Sequence, residues 1–85
     1  MKLDNVTLQM QNILLELKRH WHLNNLMEAE ICYWQLHGML HTLALLGLYD
    51  KEIHGYIEDE CEKFMVWLYA HILSDSDHIP ISLQQ

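Results

Sequence analysis

His37 and His41 stand one helical turn apart, and Glu30 lies two turns before His37 on the same stripe. On a helix these three side chains share a face, and two imidazoles with one carboxylate form a donor set that suits zinc or another divalent cation. His54, Glu58 and Cys61 hold a comparable stripe further along, which a helical hairpin could bring opposite the first. The spacing is sparse beside that of well-marked metal sites. None of the seven glutamates begins a Glu-x-x-His pair, and neither His-Glu-x-x-His nor Cys-x-x-Cys occurs. The expectation is therefore polar relief between packed faces, with no metal or cofactor. A metal- or small-ligand-binding bundle using Glu30, His37 and His41 stands as the alternative.

Nucleophilic catalysis has less support. Cys32 or Cys61 would need a histidine, an orienting third group and an oxyanion hole, and no Gly-rich loop or strand-to-helix elbow is available to build one. His20-Trp21-His22 sends adjacent side chains in different directions on a helix, which reads as one core tryptophan between two boundary histidines. The chain is expected to be non-enzymatic.

Charge is more informative. The net charge is −7, and it is unevenly placed. Residues 1–22 carry Lys2, Lys18 and Arg19 against Asp4 and Glu16, a net of +1, while residues 23–85 carry ten acids against Lys51 and Lys63, a net of −8. Such a chain repels phosphate backbones, so direct nucleic-acid binding is not expected. Glu58-Asp59-Glu60-Glu62 concentrates the acidity. A charge run of this length is commonly a solvated face, and its functional reading is a docking surface for a basic protein, such as a nucleic-acid-binding protein whose groove it would occupy. Glu58, Asp59 and Glu62, with the neighbouring Val66 and Tyr69, are the candidate partner-binding residues; Glu60 lies nearer the core edge, beside Tyr56 and Trp67.

These residues need helices to position them. Leu3, Val6, Met10, Ile13 and Leu17 are spaced 3, 4, 3 and 4, with Leu14 and Trp21 on the same side, so a first helix spans about 4–22 with Asp4 as its N-cap. Asn25 with Glu28 resembles a capping box and opens a second helix over about 25–46, which Gly47 stops. Asp50 caps a third over about 51–73, whose seam is Ile53, Ile57, Cys61, Phe64, Leu68, His71 and Ile72. The short joints require antiparallel neighbours, hence an all-α, up-down-up three-helix bundle over residues 1–73. Ser74, Asp75, Ser76 and Asp77 break the pattern and Pro80 prevents its resumption, leaving 74–85 as a short non-helical C-terminal tail, ordered only if it docks.

The second helix has two apolar faces. Ala29, Cys32, Tyr33, Leu36, Met39, Leu40 and Leu43 make one, and Met27, Ile31, Trp34, Gly38 and Leu45 make the other. Residues 64–70 are apolar around the whole third helix, and Leu8 and Leu15 project from the side of the first helix opposite its seam. Three helices alone cannot cover all of this, so a homodimer is expected, with Met27, Ile31, Trp34, Gly38, Leu45, Leu8 and Leu15 at its interface.

Eighty-five residues, half of them hydrophobic, suit one small folded domain for which association commonly supplies missing burial. Two cysteines are too few for a disulfide framework and read as reduced thiols. Gln9, Gln11 and Asn12 interrupt any signal-like apolar run, and no stretch reaches membrane-spanning length, so a soluble cytoplasmic protein without membrane contact is expected. In general build, a Trp- and Gly-bearing helix, a Leu-Gly-Leu-Tyr-Asp joint and an acidic third helix resemble small accessory proteins of phages and plasmids. The function expected is that of a small regulator or inhibitor acting by protein binding.

Overall fold

Asn24 at φ 63° and Gly47 at φ 71° adopt the left-handed backbone conformation, and each ends a helix. The computed structural model describes the backbone of residues 2–76 and the side chains of residues 5–73. Over that span the chain is all-α, with helices α1 (Lys2–His22), α2 (Leu26–Leu45) and α3 (Lys51–Ser76).

Both joints are built alike. The Asn25 amide donates to the His20 carbonyl at 2.8 Å and the Asn24 amide to that of Trp21 at 3.0 Å; likewise Leu48 donates to Leu43 at 2.8 Å and Gly47 to Ala44 at 3.1 Å. These paired bonds are the Schellman closure, which satisfies carbonyls that the last helical turn leaves open. Its pivot must sit at positive φ, where glycine is unstrained and asparagine is tolerated better than most residues. Gly47 fills this role as its position suggests. Asn24 does so without a glycine to announce it.

Helix boundaries depart from the sequence pattern at three places. α1 begins at Lys2, so Asp4 lies inside its first turn and is not its N-cap. Asn25 occupies the N-cap of α2 but makes no side-chain capping bond. A capping box would use Glu28 to satisfy the Asn25 amide, and the closure of α1 has already taken that donor. α3 continues to Ser76, three residues beyond Leu73, because serine and aspartate lower helix propensity without forbidding it, whereas the breaker Pro80 comes four residues later. The expected tail therefore loses 74–76 to α3, and 77–85 lie outside the described residues. Asp50 caps α3 as its type predicts, its Oδ1 accepting from the Glu52 amide at 2.9 Å.

The apolar seams meet in one core. Met10, Leu14 and Leu17 of α1, Ala29, Leu36, Leu40 and Leu43 of α2, and Ile57, Cys61, Phe64 and Leu68 of α3 are buried. Trp21 packs edge-on against Phe64 at 5.1 Å and at a tilt against Trp67 at 5.4 Å, while Tyr33 approaches Phe64 from α2 at 6.3 Å. Burying a side chain the size of Phe64 or Leu36 contributes about 1.5–3 kcal/mol, so these seams dominate what holds the helices together. Contacts from α1 to α3 rise in the same order along both helices: Thr7 meets His54, Lys18 meets Tyr56 and Glu60, and Trp21 meets Phe64 and Trp67.

The α3 seam is shifted at its ends. Ile53 and Ile72 are exposed, and His54 is wholly buried at the Ile53 end. Both ring nitrogens of His54 are bonded, Nδ1 accepting from the Asp50 amide at 2.9 Å and Nε2 lying 3.2 Å from the Thr7 hydroxyl, so its burial leaves no polar atom stranded.

Candidate protein-interaction surface

The outer side of α2 is apolar and uncovered. Met27 is 78% exposed, Leu45 74%, Trp34 53% and Ile31 47%. Gly38 lies among them, and among the described residues nothing beyond its chain neighbours and its own helix backbone comes within 4 Å of the place a Cβ would occupy. An adjoining groove of about 610 Å³ runs from Val6 past Trp34, Gly38 and Met39 to Leu46 and Leu48. Leu8 and Leu15 are exposed on α1. Of the seven residues grouped from sequence, Trp34 and Gly38 line this groove and the other five do not, so the seven do not share one groove in a single copy.

The acidic run divides into three environments. Glu60, with only 15% of its side chain exposed, bonds Lys18 of α1 and Lys63 of its own helix, each at 2.8 Å, and these two cations hold its carboxyl below the usual range. Lys18 also donates to the Tyr56 hydroxyl at 2.9 Å and lies over that ring at 5.3 Å. Glu60 is thus a tie between helices. Glu58 accepts a 2.6 Å bond from the Tyr49 phenol, which crosses the first turns of α3 above Gly55. That bond is the main reason the Tyr49 phenol is pushed up to about 12. Asp59 and Glu62 are exposed and form no hydrogen bond or ion pair among the described residues. Beside them Val66 and Tyr69 are exposed. The available acidic surface is therefore narrower than the run of acids suggests.

The histidine stripe is only partly assembled. Glu30 accepts from the Trp34 indole at 3.3 Å. His37 stacks on Tyr33 at 5.8 Å and meets Trp34 edge-on at 5.5 Å. His37 and His41 do line a groove of about 430 Å³ between α2 and α3, opposite Tyr49, Glu58, Cys61 and Glu62, but Glu30 does not. Among the described residues, no three histidine, cysteine, aspartate or glutamate side chains converge closely enough to hold a metal ion. Cys61 forms part of the groove floor, and its thiol is pushed up to about 12, first by burial and then by the charges of Glu58 and Glu60. A thiol so disposed is a poor nucleophile.

Helical spacing groups His54 with Glu58 and Cys61, yet its ring turns inward to Thr7 and Tyr49. The sequence holds a partial signal for this: stepping back from Ile57 by three reaches His54 and by four reaches Ile53, and only the first falls beside a hydroxyl on α1. No helix among the described residues is long and apolar enough to cross a membrane. No family model, curated protein or solved structure matches the chain.

Proposed function

We propose that this chain is a non-enzymatic, acidic interaction module that acts as a small regulator or inhibitor. In this reading an antiparallel up-down-up bundle pairs with a second copy through the outer face of α2. It offers Glu58, Asp59, Glu62, Val66 and Tyr69 to a basic protein, of which a nucleic-acid-binding protein is one kind. The carrying observation is the exposure of Met27, Ile31, Trp34 and Leu45 on one side of a helix whose other side is core. Leu46 and Leu48, also exposed, extend the apolar surface at the C-terminal end of α2, and association is the usual means of covering a patch of this kind. The antiparallel order is supported by the rising sequence of α1 to α3 contacts across two short joints.

Sedimentation equilibrium tests the pairing, and a dimeric mass that Trp34→Glu converts to monomer is the expected result. A monodisperse monomer at high micromolar concentration would refute it. For the partner, tagged parent and Asp59→Lys/Glu62→Lys proteins are compared in capture from the native cell. A basic protein retained by the parent, released by salt and lost with the double variant supports the reading, because charge complementarity governs encounter and is screened by ions. Equal, salt-independent retention by both proteins would refute the electrostatic mechanism.

A further inference from the structure

The groove between α2 and α3 joins acidic side chains to aromatic ones. Its volume, about 430 Å³, lies in the range of small-ligand clefts. Tyr33 and His37, stacked on each other with an interplanar angle of 20°, both line it. Leu40 lines the cleft beside them, and Tyr49 faces them from the joint. Glu58 and Glu62 stand one turn apart on the opposite helix, and like charges at that spacing repel unless a cation lies between them. Among the described residues, no lysine or arginine lines the groove. The Tyr49 phenol fixes one Glu58 oxygen at 2.6 Å and leaves the other available, while Glu62 has no bonded partner among the described residues.

We infer that this groove is a receptor for one arginine side chain of a basic partner protein, the guanidinium packing against the Tyr33–His37 pair while bonding Glu58 and Glu62. The inference rests on the proposed docking role and names the chemistry it would use. A guanidinium suits the site better than an ammonium because it is planar, weakly hydrated and able to bond two carboxylates from its edge while its face meets an aromatic ring. A metal ion suits it less, since no three ligands converge among the described residues. Local titration behaviour agrees with a negative groove. Burial raises the Tyr33 phenol and the charge of Glu62 adds to it, while the bond to Glu58 raises that of Tyr49.

The test is an NMR titration of the full chain with N-acetyl-arginine amide, following the ring signals of Tyr33, His37 and Tyr49. Saturable shifts confined to those rings are expected, with blocked lysine binding about threefold or more weakly and blocked citrulline not at all. Glu62→Gln, an exposed and nearly isosteric change, should weaken arginine binding about threefold or more, whereas Glu28→Gln on the far side of α2 should leave it unaltered. Absence of saturable shifts, equal binding of citrulline, or an unaffected Glu62→Gln protein would overturn the assignment. Because the probe needs no partner protein, such a failure is separable from failure of the docking role, which would appear as unaltered partner capture by the Asp59→Lys/Glu62→Lys protein.

Discussion

Lys18 of α1 and Glu60 of α3 meet at 2.8 Å, and they join the two helices that are not adjacent in sequence. The pair is partly sheltered, with Glu60 nearly covered and Lys18 more open, and Lys63 and Tyr56 complete its surroundings. It gives the acidic run a structural member that charge counting alone would assign to solvent.

The pair should make stability pH-dependent. The Glu60 carboxyl is lowered from its usual 4.5, chiefly by Lys18 and then by Lys63, so its contribution is present above about pH 4.5 and is lost as pH falls through the lowered value. Lys18 is raised from 10.5, first by Glu60, so its contribution is present below that value and lost as pH rises through the raised one. In urea titrations, a Lys18→Met/Glu60→Gln double-mutant cycle at pH 7 should give a coupling of about 0.5–1 kcal/mol, reduced in high salt. Lys18→Met should also lose less stability than the parent between about pH 5 and about pH 3, limits set by the carboxylate range. Identical acid limbs would show that the contact has no weight in solution.

Thr7 and His54 form the second cross-link between α1 and α3. Since Nδ1 accepts from the Asp50 amide, the ring proton resides on Nε2, which donates to the Thr7 hydroxyl oxygen. Thr7→Val keeps the shape and removes the acceptor, leaving a buried donor unsatisfied, so unfolding free energy should drop by about 1–3 kcal/mol with an unchanged helical spectrum. A drop below about 0.3 kcal/mol would mean that the donor finds another partner.

Gly38 separates the stability of one copy from the association of two. Open space surrounds its missing Cβ, so Gly38→Ala should stabilise α2 by about 0.5–1 kcal/mol through reduced backbone freedom in the unfolded chain. Gly38→Leu should likewise preserve the folded spectrum, but a branched side chain in the middle of a close helix contact should weaken dimerisation. Thermal melts at low concentration read the first effect and sedimentation the second. A Gly38→Leu protein that pairs as tightly as the parent would move the interface away from this residue.

The two thiols should prove inert in the folded chain. Burial lifts Cys61 to about 12 and also raises Cys32, so little thiolate exists near neutral pH. Iodoacetamide at about pH 8, just below the ordinary thiol value, should leave Cys61 unlabelled by mass spectrometry until denaturant is added. Rapid native labelling of Cys61 would contradict the placement of its side chain against the core.

The sequence by itself determined the three helices, their apolar seams and the glycine that ends α2, because periodicity and backbone preference act within a few residues of each other. It also marked the outer face of α2, since Met27, Ile31, Trp34, Gly38 and Leu45 recur at helical spacing whether or not anything covers them. Tertiary structure decided which polar residues are free. Lys18 and Glu60, Tyr49 and Glu58, and Thr7 and His54 are 42, 9 and 47 positions apart, and no local pattern registers such encounters. Helix spacing places a side chain on a face, but its partner depends on how that face is rotated against another helix, and a shift of one residue turns a helix by about 100°. That rotation put His54 in the core in place of Ile53 and left His37 and His41 on the wall of a groove.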